Sequence, residues 1–265
     1  MKRILLFLMM ALTAMSFYSC SSSVDGDDEP TTPQIRTQLG EIETEGSYIG
    51  RDQLVEFKCP QTLADGKSVL WSVDGSPIGS TDNSKDSVIW TATSGQHTVT
   101  ASVDNITKTK SFNVIECDLG KGIIGDPSSK ILRTLGLDKV YDVDEESVQE
   151  GNLTYSFVNR KLVKIESEVR GYIAQQTGDY LQQPLTVFYQ YYGTMVARCG
   201  QPVSSNFSDF DFEIMDYTTK ANWGLRIVNG SAWLSCVFKT QAGNSLTMEM
   251  TGRSGTLFTI TMTVE

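Results

Sequence analysis

Short strand-like segments, several of them alternating strictly between apolar and polar residues, follow one another along residues 36–116. They are residues 54–59, 69–73, 87–90, 95–101 and 110–115. Turn signals such as Asp74-Gly75 lie between them. A two-residue period indicates strands with one buried face, and several short strands at this spacing are typical of a β-sandwich. We therefore predict that residues 36–116 form a β-sandwich domain.

Residues 117–265 add helical signals to further strand signals. Pro127 at the first helical position and Gly136 after the last predict a helix over residues 127–135, with Asp126 as its N-cap. A second predicted helix covers residues 183–192 and ends at Gly193. The predicted strands are residues 153–158, 162–167, 210–214, 223–227, 246–250 and 258–264. This pattern predicts an α+β domain, in which two or three short helices cover one side of an antiparallel sheet. The chain as a whole is therefore predicted to be mainly β.

The first residues form an export signal. Lys2 and Arg3 precede an apolar run over residues 4–14, which is too short to span the ~30 Å of bilayer hydrocarbon. The segment from Phe17 to Cys20 resembles a lipobox, with Phe17 in the position that leucine usually occupies. This resemblance implies that residues 1–19 are a lipoprotein signal peptide. It also implies that acylated Cys20 anchors the mature protein in a lipid bilayer.

Residues 20–35 form a predicted disordered tether behind the anchor. They are rich in Ser, Asp, Pro and Thr and cannot bury enough apolar surface to fold. Ser21 and Ser22 resemble the outer-membrane sorting residues of Gram-negative lipoproteins. The acidic cluster at residues 25–29 resembles the surface-export tether of Bacteroidetes lipoproteins. These resemblances imply an outer-membrane protein exposed at the cell surface. The alternative location is the periplasmic face of the same membrane.

Charge and composition exclude several classes of function. A formal net charge of −10 argues against nucleic acid as a partner and against lying on an anionic lipid surface. The chain has one histidine and no C-x-x-C pair, which argues against a zinc site. It contains none of the common nucleophile, metalloprotease or phosphate-binding motifs. We therefore expect no catalytic residues, no metal and no cofactor.

Part of the first domain resembles the immunoglobulin-like and PKD-like modules of bacterial surface proteins. The resemblance rests on Trp71 with its Asp74-Gly75 turn, and on residues 95–99, which match the Gly-x-Tyr-x-Cys segment of immunoglobulin domains. His97 stands in the place of the tyrosine, and Val99 stands in the place of the disulfide cysteine. Cys59 matches the other disulfide position. The resemblance therefore implies that Cys59 is a buried thiol, with a bridge to Cys117 as the alternative.

The sequence does not determine the disulfide pairing or the family of the second domain. Cys59, Cys117, Cys199 and Cys236 allow three pairings in an oxidising compartment, and the sequence does not choose among them. Residues 155–159 and 225–229 both end in Val-Asn, and each follows a helix that ends at Gly. This repeat resembles lipoprotein modules related to the outer-membrane assembly factor BamE.

Two groups of residues in the second domain are candidate sites. Asp209, Asp211 and Glu213 share one face of a predicted strand, where they could bind Ca²⁺ or serve as a glycosidase pair. A solvated strand face explains them more simply. The domain is also rich in aromatic residues, which stack well on sugar rings but also fill cores. The candidate ligand-binding residues are Trp223, Trp233, Tyr217 and Tyr189.

A non-catalytic binding module agrees best with these observations, and glycan is the expected ligand class. The alternatives are a structural or accessory subunit of an outer-membrane protein complex, and an unrecognised hydrolase. The tether would hold the two domains away from the membrane in either of the first two cases.

Overall fold

The computed structural model describes residues 36–207 and 215–265. Residues 35–265 group into one compact unit. The predicted signal peptide, Cys20, the tether and the predicted strand at residues 210–214 lie outside the described residues. So do the candidate acidic residues Asp209, Asp211 and Glu213, and all of these remain predictions.

Ten strands lie between residues 38 and 115. They are β1 (Gln38–Leu39), β2 (Glu43–Thr44), β3 (Ile49–Gly50), β4 (Leu54–Lys58), β5 (Gln61–Thr62), β6 (Val69–Val73), β7 (Ser76–Thr81), β8 (Ser87–Thr91), β9 (Gly95–Val103) and β10 (Ile106–Ile115). A five-stranded sheet has the order β3-β10-β9-β6-β7, and a three-stranded sheet has the order β2-β4-β8. Strands β1 and β5 form a separate pair.

The inner faces of these sheets share one hydrophobic core, which makes this part of the chain the predicted β-sandwich. Val55, Phe57 and Cys59 point into the core from one side, as the alternation predicts. Trp71 is fully buried, and its indole nitrogen donates to Thr81 Oγ1 at 3.0 Å. Cys59 is a free, buried thiol, so the expectation drawn from the immunoglobulin resemblance is confirmed.

The described residues after 115 form three α-helices and seven strands. They are α1 (Ser128–Leu135), β11 (Ser147–Glu150), β12 (Leu153–Val158), β13 (Lys161–Tyr172), α2 (Gln183–Cys199), β14 (Ser204–Ser205), α3 (Tyr217–Val228), β15 (Leu234–Lys239), β16 (Ser245–Arg253) and β17 (Leu257–Val264). A short 3₁₀ helix, Gly178–Gln182, precedes α2.

The seven strands form one antiparallel sheet in the order β11-β12-β13-β17-β16-β15-β14. Helices α2 and α3 pack against β15, β16 and β17. The second hydrophobic core lies between these helices and the sheet. This arrangement confirms the predicted α+β fold, in which helices cover one side of an antiparallel sheet. None of the helices in the described ranges is both long enough and apolar enough to span a membrane.

Residues 223–227 were predicted as a strand, and this prediction is wrong because they lie in α3. The buried positions of α3 are Gly224, Ile227 and Val228, which have helical rather than strand spacing. Asp216 caps the helix by accepting a hydrogen bond from the Thr219 amide at 2.9 Å. The repeat on which the BamE resemblance rested is therefore absent, since only one of its two segments is a strand.

The predicted limits of the other two helices also need correction. Helix α2 continues through Gly193 to Cys199, with Gly200 as its C-cap, and Met195 extends its buried stripe by another turn. Helix α1 starts at Ser128, so Pro127 occupies the N-cap position instead of Asp126. The Asp126 carboxylate instead accepts hydrogen bonds from the amide of Ile123 and from side chains around it.

A buried polar network joins the sandwich to α1. Lys130 Nζ donates to Asp126 Oδ1 at 2.7 Å and to the Tyr48 carbonyl at 2.9 Å. Gln53 Nε2 donates to Asp126 Oδ2 at 2.7 Å and to the Lys121 carbonyl at 2.9 Å. Lys130 and Gln53 are fully buried, and Asp126 is 2% exposed. Each buried charge is therefore matched by an opposite charge or by hydrogen bonds, as burial requires.

A second set of contacts lies at the same junction. The Arg133 side chain pairs with Glu45 and donates to the Leu54 carbonyl at 3.1 Å. Thr134 Oγ1 accepts a hydrogen bond from the Leu54 amide at 3.0 Å. Burial raises the pKa of Glu45 despite the nearby guanidinium. Helix α1 is thus bound to the first residue of β4 by both charged and neutral hydrogen bonds.

Candidate functional site

The side of the seven-stranded sheet that faces away from the helices is open. Strand β17 shows the pattern: Phe258, Ile260 and Met262 are buried against the helices, and the threonines between them are half-buried on the other side. Strands β13, β15 and β16 alternate in the same way. We call this side of the sheet the open face.

Threonines occupy the centre of the open face. Thr259 and Thr261 on β17 are directly opposite Thr251 and Glu249 on β16, and Thr263 is opposite Thr247. None of these threonine hydroxyls makes a hydrogen bond to another described residue. Their χ1 angles are restricted because threonine is β-branched, so the hydroxyls form a fixed set of donors and acceptors.

A depression of about 460 Å³ lies over one end of these threonines. It is lined by Glu168, Arg170, Thr251, Arg253, Leu257, Phe258, Thr259 and Thr261. A second depression of about 360 Å³ lies beside it over β11, β12 and β13. Glu168 and Arg170 line both depressions, so their side chains form a ridge between the two.

Ion pairs neutralise most of the charge on β13. Arg170 pairs with Glu168, and this hydrogen bond raises the pKa of Arg170. Lys164 Nζ lies 2.6 Å from Glu166 Oε2, and this contact raises the pKa of Lys164. Each of the two carboxylates is therefore paired with a cation of its own strand.

Two exposed aromatic residues flank the depression. Tyr172, at the end of β13, is 66% exposed and is opposite Leu257, which is itself 48% exposed. Trp233, immediately before β15, is 57% exposed between the buried residues Ala232 and Leu234. This alternation places Trp233 on the open face, next to Thr251 in the register of β15 and β16. Three strand spacings and one two-residue step along a strand separate Tyr172 from Trp233, which is roughly 16 Å.

Trp233 is held in place through its backbone. Asn206 Nδ2 donates to the Trp233 carbonyl at 3.2 Å, and Asn206 Oδ1 accepts from the Ser235 amide at 2.8 Å. Asn206 therefore holds the backbone on both sides of Leu234, and the indole ring projects from an anchored backbone.

The four aromatic residues predicted from the sequence do not share one surface. Only Trp233 lies on the open face. Tyr217, at the start of α3, is 48% exposed on the helical side of the sheet. Trp223 and Tyr189 are half-buried on α3 and α2 and pack against the core. The Arg226 guanidinium lies 5.0 Å from the Trp223 ring centroid.

Sequence reasoning missed Tyr172, Arg170, Arg253 and the threonines. The alternation in β16 and β17 was visible, but only its apolar half was used, as evidence for a core. The polar residues that alternate with the apolar ones in these two strands were the sequence signal that could have indicated a binding face. What brings these residues together is strand register, which joins positions about ninety residues apart.

Other residues that often carry chemistry have structural roles here. His97 Nδ1 lies 2.7 Å from Asp74 Oδ2, and its Nε2 lies 2.8 Å from the Thr93 carbonyl. Its ring packs against Trp90 with a centroid distance of 5.1 Å. Burial opposes the charge of His97, but these hydrogen bonds outweigh it and raise the pKa.

In the part of the chain that the structure describes, the cysteines do not cluster with other side chains that could bind a metal ion. Cys59, Cys117, Cys199 and Cys236 are all free thiols, and burial raises the pKa of both Cys117 and Cys236 to about 12. Thiols of this kind are poor nucleophiles at neutral pH. Within the described ranges, no group of three His, Cys, Asp or Glu side chains is placed to hold a metal ion.

Comparisons with known proteins yield only remote likenesses. No protein-family model matches the chain, and no curated protein matches it. Fibronectin(III)-like modules of CbhA from Clostridium thermocellum are 21% identical over 31% of this chain and 96% of theirs, with a TM-score of 0.24. SGBP-B of the Bacteroides ovatus mixed-linkage glucan utilization locus, solved with a mixed-linkage heptasaccharide, is 12% identical with a TM-score of 0.23. That match covers 89% of this chain and 48% of the other, so this chain spans about half the length of SGBP-B. Both likenesses are too remote to carry a functional argument.

Proposed function

We propose that this protein is a non-catalytic carbohydrate-binding protein whose ligand lies across the open face of the seven-stranded sheet. The observation that supports this proposal is the combination of Trp233 and Tyr172, both more than half exposed, with a set of threonine hydroxyls that have no partner within the described residues.

This combination suits the chemistry of a sugar chain. Each sugar ring has apolar C–H faces and a rim of hydroxyl groups. An aromatic ring covers a C–H face and removes apolar surface from water, which contributes roughly 25 cal/mol for each Å². Tyr and Trp do so at little entropic cost because each has only two rotatable side-chain angles. The threonine hydroxyls between the rings can both donate to and accept from the sugar hydroxyls.

The shape of the site favours binding over catalysis. Hydrolysis of a glycosidic bond needs two carboxyl groups that flank the bond, in a site that excludes water. Glu168 is paired with Arg170, and the open face is a shallow surface rather than a cleft. A chain lying on such a surface stays hydrated, so the face is suited to holding a polymer.

We further propose that Cys20 carries the lipid anchor and that the binding face is presented at the outer surface of the outer membrane. The signal peptide pattern, the lipobox and the acidic tether support this location. Metabolic labelling with a fatty-acid analogue should mark the protein and should fail for Cys20→Ala. Proteinase added to intact cells should digest the anchored protein if it faces outward and should spare it if it faces the periplasm.

The binding proposal is tested with residues 35–265, the compact unit that contains both cores. Oligosaccharide binding would be measured by calorimetry after a glycan-array screen. Trp233→Ala and Tyr172→Ala should each weaken binding roughly tenfold to hundredfold, as expected for an aromatic anchor.

Tyr217→Ala is the matched control, because Tyr217 is also an exposed tyrosine but lies on the helical side. It should leave affinity unchanged. If Tyr217→Ala weakens binding as much as Tyr172→Ala does, the proposal that the ligand binds on the open face is wrong. If no oligosaccharide binds, the proposed function is wrong.

A further inference from the structure

The charged residues at one end of the open face point to a particular class of sugar. Strand register aligns Tyr172, Leu257 and Arg253 in one row across β13, β17 and β16. The neighbouring row contains Arg170, Thr259 and Thr251. Neither row contains an acidic residue. The acids of the open face, Glu166, Glu168 and Glu249, belong to other rows.

Arg253 differs from Arg170, the other arginine that lines the depression. It is exposed, and within the described residues it makes no ion pair and no hydrogen bond through its side chain. Arg170, Glu166, Glu168 and Lys164 are all paired on β13. The depression thus has a free guanidinium in its wall, in a protein whose formal net charge is −10.

We infer that the ligand is an acidic glycan and that Arg253 binds the carboxylate of a uronic acid residue. This inference rests on the proposed carbohydrate-binding function and deepens it. A guanidinium offers two parallel N–H donors that match a carboxylate, and such charge-assisted bonds are about twice as strong as neutral ones. Neutral sugars would gain little from this residue, since the threonines already supply hydroxyl partners.

The three kinds of group in this corner match the three parts of a uronic acid. Tyr172 provides a ring for the apolar face of the sugar, the threonines provide hydroxyl partners, and Arg253 provides the counter-charge. Arg170 lines the same depression and is held by Glu168. Because Glu168 neutralises this second guanidinium, Arg253 is the primary contact for the carboxylate.

The test compares oligogalacturonates with the same oligomers as neutral methyl esters, using residues 35–265. A panel of neutral oligoglucans is included. We expect the acid form to bind more tightly than the ester, and salt to weaken the acid form selectively. Arg253→Gln should weaken binding of the acid form at least about tenfold and leave the ester unaffected.

Arg226→Gln is the matched control, since it removes the same charge from the helical side of the molecule. It should not change affinity for the acid form. Thermal unfolding checks that both variants fold.

The outcomes separate this inference from the proposed function. If esters or neutral oligoglucans bind as tightly as oligouronates, or if Arg253→Gln has no effect while Trp233→Ala abolishes binding, the acidic ligand is refuted and carbohydrate binding stands. If none of these oligosaccharides binds, both proposals fall.

Discussion

The buried network between the sandwich and α1 gives the sharpest stability prediction, for the substitution Lys130→Met. Methionine has nearly the volume of lysine and is apolar, so packing changes little. The substitution removes the ammonium that lies 2.7 Å from Asp126 Oδ1 and 2.9 Å from the Tyr48 carbonyl. Asp126, which is 2% exposed, would lose its counter-ion.

The magnitude follows from that burial. Removing one partner of a buried ion pair typically costs about 3–5 kcal/mol, because a charge is left uncompensated in a medium of low polarity. The hydrogen bonds that Asp126 Oδ2 accepts from Gln53 and from the Ile123 amide remain and keep the cost from rising higher. We therefore expect Lys130→Met to lower the free energy of unfolding by about 3–5 kcal/mol at neutral pH.

Urea unfolding, followed by tryptophan fluorescence and by far-UV circular dichroism, measures this change. Lys67→Met is the control, because Lys67 Nζ lies 2.8 Å from Asp104 Oδ1 in an ion pair whose side chains are both more than 40% exposed. An exposed pair of this kind contributes only about 0–1 kcal/mol. Equal losses from the two substitutions would refute the argument from burial.

A double variant tests the cause directly. Asp126→Asn with Lys130→Met removes both charges, so it should be more stable than Lys130→Met alone. The carboxamide can still accept from one of its former donors through its oxygen. If the double variant is no more stable than the single one, uncompensated charge is not the source of the loss.

Two further predictions concern a pair of helical glycines and the histidine. Gly193→Ala should stabilise the protein by about 0.5–1 kcal/mol, because the added Cβ would meet no atom within 4 Å. Gly224→Ala should destabilise it by roughly 1–3 kcal/mol, because the added Cβ would lie 1.6 Å from the Leu181 carbonyl oxygen. Thermal unfolding of both variants checks the opposite signs. His97 should titrate by NMR above the ordinary value of about 6.5, and Asp74→Asn should lower that midpoint. Because the folded pKa is raised, the stabilisation from this pair should be present below about pH 6.5 and lost as pH rises through the folded pKa. A midpoint unchanged by Asp74→Asn would contradict the assignment.

Strands with one buried face were the most predictable part of the fold. In β17, and in β9 from Val99 onward, every second residue is buried, and the sequence shows the same two-residue period of apolar residues. The same signal failed for residues 223–227, because five residues are too few to distinguish the two periods: Trp223 and Ile227 share one side of a strand and also one side of a helix. What decides in favour of the helix is tertiary contact: Gly224 lets α3 approach the backbone of Leu181, and no local pattern records that approach.

The open face could be predicted only in part. Threonines at alternate positions of β17 are visible in the sequence, and so is the aromatic character of Trp233. The pairing of Arg170 with Thr259, and of Thr259 with Thr251, depends on strand order in a sheet whose neighbours are distant in sequence. Aromatic content alone did not separate Trp233 from Trp223, because only the structure shows which one packs against the core.

The position of the proposed site on strands rather than on loops bears on how it would bind. Loops must be ordered when a ligand binds, and that ordering subtracts from affinity. The open face is built on strands that are paired on both sides, and its threonines have few rotamers to lose. A flexible sugar chain would then supply most of the entropy lost on binding. Such a face would bind a long polymer through many contacts that are individually weak, with Trp233, Tyr172 and Arg253 setting the position and the charge preference along it.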